Sequence, residues 1–209
     1  MKYTIIPVTP LMQNCHIFWN INSKKAVIVD PGGDAKKIIS IINFNKLKPI
    51  KILLTHGHFD HISASSFISN HFSIPIYGPQ KEDLFLIKNL TKQNTMFQTD
   101  NYKEFTPDYW LNEGDKIFCD NLIFDVLHCP GHTPGHIIFI NFFYKIISVG
   151  DILFKGTIGR TDLPRSNYKD LINSIKKKIL PLGNNYYFIP GHGEISNIGH
   201  EIKTNSFLF

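Results

Sequence analysis

A cluster of three histidines and one aspartate within six residues constrains this chain more than any other feature of its sequence. The cluster consists of His56, His58, Asp60 and His61. It follows directly on Lys51–Thr55, whose apolar residues predict a buried strand. Ligands of α/β proteins gather at the carboxyl ends of strands, and imidazole and carboxylate groups are common ligands of zinc. The cluster therefore predicts a metal site at one end of a sheet.

Three further residues of the same chemical kind follow other predicted strands: His132, Asp151 and His192. Together with the cluster they supply five histidines and two aspartates. Seven ligands exceed what one four-coordinate ion takes, and they suit two ions that share a bridging ligand. The alternative is an exposed group of histidines on a polar loop, which the apolar strand before the cluster argues against.

Apolar residues predict strands in runs with helices between them. This pattern favours two sheets covered by helices over a strictly alternating βα sheet. The predicted strands are Lys2–Val8, Cys15–Asn20, Ala26–Val29, Lys51–Thr55, Ile74–Tyr77, Lys116–Cys119, Leu122–Leu127, Ile137–Phe143, Lys145–Val149 and Tyr186–Ile189. The first predicted helix follows Asp34, a plausible N-cap, and its apolar face consists of Ala35, Ile38, Ile39 and Ile42. The other predicted helices are Ile62–Phe72, Lys81–Asn89 and Asn167–Leu180. Residues 90–115 give a weak signal and are expected to run over the surface, where lids and substrate walls often lie.

The order and spacing of the ligand motifs resemble those of the metallo-β-lactamase superfamily. The motifs are His-x-His-x-Asp-His, a lone histidine, Gly-Asp and Gly-His, and the match extends over essentially the whole chain. The resemblance implies an α/β (α+β) fold, the αββα sandwich, in which two mixed sheets are flanked by helices. Residues 1–209 are expected to form a single domain of this kind, a size that suits one domain.

The resemblance also implies how the ligands divide between two divalent metal ions. Zinc is the expected metal, with iron and manganese as alternatives. The ligands implied for one ion are His56, His58 and His132. Those implied for the second are Asp60, His61 and His192, with Asp151 as the bridge. Asp30 resembles a residue that orients a ligand histidine, although a turn residue before a helix is a similarly simple interpretation.

Within the superfamily, residues 150–160 resemble glyoxalase II, the hydroxyacylglutathione hydrolases. A basic residue nine positions after the bridging aspartate contacts glutathione in that family, and Arg160 stands at that position here. A guanidinium group pairs bidentately with a carboxylate, which suits such a role. The alternative is a structural ion pair of Arg160 with Asp162 or Asp115.

The chain also departs from full-length glyoxalase II. Asp162 stands where that family has an aromatic residue, and Glu194 stands where it has a tyrosine. The C-terminal helical extension that supplies further glutathione contacts has no counterpart in residues 1–209. The segment Gly159–Pro164 resembles instead the short, single-domain bacterial branch of glyoxalase II-like hydrolases.

The resulting hypothesis is a metal-dependent thioester hydrolase. Its substrates would be hydroxyacylglutathiones of the S-D-lactoylglutathione type, cleaved to a 2-hydroxy acid and glutathione by attack of a metal-bound hydroxide. Asp60 is the expected catalytic residue, because it is both a ligand and an acceptor that can orient the nucleophile. A thiolate with a pKa of ~8.5 leaves without a general acid, so a thioester is an easier substrate than an amide.

Other reactions of the same fold remain open. A persulfide dioxygenase would use one iron held by the equivalents of His56, His132 and Asp151. Hydrolysis of an ester or lactone needs the same metal machinery as a thioesterase. A nuclease is suggested by the net charge of +5, but the lysines are dispersed along the chain and no basic arm is present, so no nucleic-acid partner is expected.

Cysteine usage and hydropathy bear on the compartment. Three cysteines, without the spacing of a zinc ribbon or CxxC motif, favour a reducing environment. Residues 1–14 lack the pattern of a secretory signal, and no apolar run approaches the ~18 residues of a membrane span. A cytoplasmic protein without a membrane partner is therefore expected, and its oligomeric state is open. Cys129 is expected to be a small buried packing residue, and His136 a packing, hydrogen-bonding or surface histidine and not a ligand.

Overall fold

Two mixed β-sheets lie face to face in the structure, a computed structural model that describes residues 1–92 and 103–208. Among these residues the first sheet has five strands, ordered as they occur along the chain: β1 Lys2–Val8, β2 Gln13–Trp19, β3 Lys25–Val29, β4 Lys48–Leu53 and β5 Ile76–Tyr77. Strands β1, β2 and β3 are antiparallel neighbours, whereas β3, β4 and β5 run parallel.

The second sheet contains six strands within the described residues: β6 Lys116–Cys119, β7 Leu122–His128, β8 Ile137–Asn141, β9 Ile146–Gly150, β12 Tyr187–Pro190 and β13 Ser196–Asn197. Their order across the sheet is β13-β12-β9-β8-β7-β6. Only β9 and β12 pair in parallel in this sheet. A short hairpin of β10 Leu153–Phe154 and β11 Thr157–Ile158 follows β9.

Helices cover the outer face of each sheet. They are α1 Ala35–Phe44, α2 Phe59–Ile62, α3 Ser65–Phe72, α4 Leu84–Ile87, α5 Tyr168–Ser174 and α6 Ile198–Thr204. Side chains of a strand alternate between its two faces. In β3, Val27 and Val29 pack between the sheets, whereas Ala26 and Ile28 pack in a cluster that includes residues of α1 and α3. A third apolar cluster joins the second sheet to α5. The αββα sandwich predicted from the sequence is thus confirmed.

The helices differ in detail from the sequence expectation. Asp34 precedes α1, but its carboxylate accepts a hydrogen bond from the backbone N–H of Thr9 and does not cap the helix. The helix predicted over Ile62–Phe72 is two helices, and the first, α2, begins inside the histidine cluster itself. The helix predicted over Lys81–Asn89 starts as a 3₁₀ turn at Lys81–Asp83, which leads into α4.

The last predicted helix begins as expected, because the Asn167 side chain accepts a hydrogen bond from the backbone N–H of Asp170. It continues beyond α5 as a π-helical segment, Ile175–Ile179, and a 3₁₀ turn. The short strands β10, β11 and β13 and the helix α6 were outside the sequence prediction. Their segments are too short to show a clear hydrophobic period.

Part of the predicted surface segment 90–115, residues 93–102, lies outside the described residues. The remainder packs against the first sheet, where Gly78 donates its N–H to the carbonyl of Tyr109. Phe105 and Trp110 pack against the apolar cluster that includes residues of α1 and α3. All three cysteines are buried thiols, and Cys129 is a packing residue as expected. Among the described residues, no helix combines the length and hydropathy that crossing a bilayer requires.

Candidate metal centre

The seven predicted ligands converge because the strands that precede them end at one edge of the sandwich. β9 and β12 are parallel neighbours, so the residues that follow them, Asp151 and His192, lie close together. The histidine cluster follows β4 of the other sheet. A bridge between Gln13 and His192 joins the two sheets at this edge. Residues more than 130 positions apart in the sequence therefore share one site.

The first ligand group consists of His56, His58 and His132, and one ring nitrogen of each lies within 4.8 Å of the others. Nε2 of His132 is 2.9 Å from Nδ1 of His58. The other nitrogen of His132 donates to the backbone carbonyl of Arg160, and that of His56 donates to the Thr55 hydroxyl. These outer hydrogen bonds leave the lone pair of each inner nitrogen directed toward the site.

The second ligand group consists of Asp60, His61 and His192. Nε2 of His192 lies 3.1 Å from Oδ2 of Asp60, and Nε2 of His61 lies 3.8 Å from the same oxygen. Nδ1 of His192 donates to the carbonyl of Leu11 at 3.1 Å. The two groups are adjacent, since the rings of His56 and His61 are 4.1 Å apart between centroids.

Asp151 lies between the two groups. Its Oδ1 is 3.4 Å from Nε2 of His61, and its Oδ2 is 3.5 Å from Nε2 of His132 and 3.8 Å from Nε2 of His192. One carboxylate thus reaches members of both groups. This is the position that a bridging ligand would need, because Oδ2 lies near nitrogens of both groups and Oδ1 lies near a nitrogen of the second.

Buried polar atoms without partners show that the residues fit metal ions. Nε2 of His56, Nε2 of His61 and Oδ1 of Asp151 are fully buried and have no hydrogen-bond partner among the described residues. Leaving a buried polar atom without a hydrogen bond costs about 1–3 kcal/mol, and a metal ion at this point would compensate for it. A Cβ at Gly191 would overlap the Asp151 carboxylate, so glycine there keeps this space open.

The protonation states of the first group suit metal binding. Burial lowers the pKa of His56 well below its usual value and lowers that of His58 to about 3, and neighbouring imidazoles add to both effects. Burial also lowers the pKa of His132. All three rings are therefore neutral at pH 7 and present lone pairs, which is the form that binds a metal.

The second group is dominated by its carboxylates. Burial disfavours the protonated form of His61, but the charges of Asp151 and Asp60 outweigh it and raise the pKa of His61. Burial also opposes ionisation of Asp151, yet His61 and His132 hold the pKa of that carboxyl far below its usual range. Positive charge is thus stabilised at this point, and a cation would take the place of the proton.

Asp30 connects the two groups through hydrogen bonds to His61 and Thr55. Its Oδ2 accepts hydrogen bonds from Nδ1 of His61 at 2.9 Å and from the Thr55 hydroxyl at 2.6 Å. Its Oδ1 accepts from the Thr55 N–H, and the Thr55 hydroxyl in turn accepts from Nδ1 of His56. Both oxygens accept hydrogen bonds from the protein, so Asp30 orients His61 directly and His56 through Thr55. This agrees with the orienting position that the sequence resemblance implied.

His136 lies next to the ligands without being one of them. Its ring stacks on that of His56 at 4.7 Å, and its Nε2 accepts the backbone N–H of Asp151. The ring is fully buried, and burial lowers its pKa well below the usual value. Of the roles that the sequence left open for His136, the structure shows packing and hydrogen bonding, whereas a surface position is excluded.

A cavity of about 1090 Å³ opens above the two ligand groups. Its apolar lining includes Phe85, Leu86 and Phe154, and Arg160 also lines it. The Arg160 guanidinium forms a bidentate ion pair with Asp162, with N–O distances of 2.7 and 2.6 Å. Of the two ion-pair partners considered from the sequence, Asp162 is the one observed. The cavity combines an apolar wall with residues of the two candidate ligand groups at its base.

Comparison with known proteins agrees with this geometry. Residues 8–192 match the family model of the metallo-beta-lactamase superfamily. The chain is 45% identical over 209 residues to hydroxyacylglutathione hydrolase GloC of Haemophilus influenzae, covering 100% of this chain and 98% of that protein.

Two solved structures show the same fold along their full length. One is BLEG-1 B3 metallo-beta-lactamase, with a TM-score of 0.92, 34% identity and 99% of each chain covered. The other is TTHA1623 in a di-iron-bound form, with a TM-score of 0.88, 33% identity and coverage of 98% of this chain and 100% of that one. The fold and its two groups of histidine and aspartate ligands imply a site for two metal ions. This chain belongs to the metallo-beta-lactamase superfamily.

Proposed function

We propose that the protein is a two-metal hydrolase that cleaves hydroxyacylglutathione thioesters, with His56, His58 and His132 holding one ion and Asp60, His61 and His192 the other. The observation that carries the proposal is the Asp151 carboxylate between two complete ligand groups at the base of a cavity. The similarity to hydroxyacylglutathione hydrolase GloC supports the thioester substrate. Zinc is the expected metal, and the di-iron form of TTHA1623 makes iron the principal alternative.

A pair of divalent cations, when bound, lowers the pKa of a shared water toward neutrality and polarises a carbonyl oxygen. The protein residues then have to orient the reactants. Burial raises the pKa of Asp60, but His61 and His192 more than offset this and keep it below its usual value. Asp60 is therefore ionised at neutral pH. Its carboxylate can accept a hydrogen bond from the attacking water and hold the departing proton.

The leaving group explains why a thioester suits this cavity. A thiolate with a pKa of ~8.5 departs without protonation, whereas an amide nitrogen needs a proton donor. The carboxylates at the base of the cavity, Asp60 and Asp151, are held ionised by the neighbouring histidines. They are suited to accept protons and not to donate them, which favours substrates whose leaving group needs no acid.

The deciding experiment measures turnover of S-D-lactoylglutathione by protein loaded in turn with zinc, iron and manganese. We expect hydrolysis with two ions per chain, and loss of both activity and one ion in His58→Ala. A protein that binds one iron per chain and consumes oxygen with glutathione persulfide would instead be a dioxygenase. Hydrolysis of a lactone or simple ester in preference to the thioester would leave the metal site intact and overturn the substrate.

Arg160 is proposed to bind a carboxylate of the glutathione moiety. Its guanidinium group is exposed at the cavity and paired with Asp162, an arrangement worth little to stability. We expect Arg160→Ala to raise KM for S-D-lactoylglutathione about tenfold, with kcat nearly unchanged, because one charged hydrogen bond to the substrate is lost. Steady-state kinetics on this substrate and on a thioester without the glutathione carboxylates measure the effect.

The second substrate is the control for that variant. Its KM should be the same in wild type and Arg160→Ala, and Lys116→Ala, which breaks a surface ion pair with Asp125, should leave both substrates unaffected. An unchanged KM for S-D-lactoylglutathione in Arg160→Ala would remove this residue from the substrate site.

A further inference from the structure

The Asp83 carboxylate is fully buried and contacts both loops that carry the first ligand group. We propose that Asp83 is the positioning residue of the metal site formed by His56, His58 and His132: it holds the two loops in the spacing that the ion requires. The inference rests on the ligand assignment proposed above and adds a residue that is neither a ligand nor in contact with substrate.

Three hydrogen bonds define the contact. Oδ2 of Asp83 accepts from the backbone N–H of Gly57 at 2.8 Å and from the Thr133 hydroxyl at 2.7 Å. Oδ1 accepts from the backbone N–H of Gly135 at 2.6 Å. Gly57 separates His56 from His58, and Thr133 directly follows His132. One side chain thus bonds to the backbone or side chain next to every histidine of the first group.

Close backbone packing brings the loops onto the same point. A Cβ at Gly135 would lie 2.6 Å from the Asp83 backbone nitrogen, and one at Gly57 would lie 2.9 Å from Cβ of Leu86. Gln80, three residues before Asp83, also donates its N–H to the carbonyl of Gly135. The 3₁₀ turn that precedes α4 therefore sits in a recess that glycine at both loop positions leaves open.

Burial disfavours the negative charge of Asp83 at this position. No lysine, arginine or histidine among the described residues lies within 4 Å of the carboxylate, which is 0% exposed. Burial raises its pKa to about 6, although the three hydrogen bonds and the more distant Arg165 oppose that change. At neutral pH the group is still ionised, and a carboxylate is the side chain that can accept from three converging donors at once.

The two histidines of the second ligand group are oriented by other residues. His61 is oriented by Asp30 and His192 by the carbonyl of Leu11. Neither contact involves Asp83 or its turn. The effect of Asp83 should therefore be confined to one of the two ions.

The test titrates Zn²⁺ into chelator-treated protein against a competing chromophoric chelator. We expect Asp83→Asn to lower the affinity for one of the two zinc ions about 10–100-fold and to leave the affinity for the other unchanged. The reason is that the amide presents an N–H₂ group to one of the three donors. Glu201→Gln is the matched control. Glu201 is another fully buried carboxylate, and it accepts hydrogen bonds from Gly156, Ser196 and Asn205.

Double variants assign the effect to a site. In a His192→Ala background, Asp83→Asn should still lower the affinity for the ion that remains by the full 10–100-fold. In a His58→Ala background, Asp83→Asn should not change the affinity for the remaining ion. Wild-type affinity for both ions in Asp83→Asn, with a loss of stability like that of Glu201→Gln, would make Asp83 merely structural. Retention of both ions by His58→Ala would instead overturn the ligand assignment itself, so the two failures are distinguishable.

A milder pair of variants covers the case in which Asp83→Asn does not fold. Thr133→Val removes one donor to the carboxylate, and Thr133→Ser keeps it. We expect the valine variant to bind the affected ion about tenfold more weakly and the serine variant to match wild type. Equal affinity in the two variants would contradict the proposal.

Discussion

Replacing Asp151 by asparagine is expected to lower kcat for S-D-lactoylglutathione by at least about 10³-fold and to reduce the metal content below two ions per chain. The substitution keeps the shape of the side chain but removes the negative charge that lies between His61, His132 and His192. Neutral imidazoles do not balance two divalent cations placed close together, so the loss of this charge affects both sites. Steady-state kinetics and elemental analysis of the dialysed protein measure the two effects.

The control for this variant is Asp125→Asn. Asp125 is also a strand-associated aspartate in an ion pair, but it faces Lys116 on the surface. The Asp125→Asn variant should retain full activity and metal content. Two tightly bound ions and near-normal turnover in Asp151→Asn would show that this carboxylate does not bridge the site.

Asp30→Ala is expected to lower the free energy of unfolding of the chelator-treated protein by about 3–5 kcal/mol. The Asp30 side chain is 1% exposed and accepts three hydrogen bonds, from His61 and from the N–H and hydroxyl of Thr55. Alanine would leave three buried donors without an acceptor. Urea unfolding in the presence of a chelator measures the stability, which separates this effect from metal binding.

Asp34→Ala is a closely matched control. Asp34 and Asp30 have the same side chain and nearly the same left-handed backbone, with φ values of 46° and 48°. Any backbone strain from alanine is thus common to both variants. Asp34 is exposed and accepts one hydrogen bond from Thr9, so its loss should cost no more than about 1 kcal/mol. Equal destabilisation of the two variants would refute the network around Asp30.

Much of the site could be predicted from the sequence because its residues belong to short local patterns. An apolar run followed by His-x-His-x-Asp-His predicts a strand end with ligands, and the later histidines and Asp151 each follow a run of the same kind. The αββα architecture came from resemblance and is confirmed by the structure. Interruptions of a helix that depend on tertiary contacts leave no such local pattern. The break between α2 and α3, where Ala64 donates its N–H to the carbonyl of Pro31, is an example.

By itself, the sequence indicated most of the strands and the chemical types of the candidate ligands, because hydrophobic period and residue chemistry are local properties, and the order of its motifs indicated the fold family by resemblance. Only the tertiary structure decided which partners Asp83 and Asp162 have, whereas the resemblance already indicated an orienting position for Asp30. Asp83, within a segment predicted as an ordinary helix, accepts its bonds from loops 26 and 50 residues away, whereas Asp162 turns to a neighbouring arginine. Hydrogen bonds between distant segments depend on how the sheets and loops pack, and a linear pattern of residues carries no record of that packing.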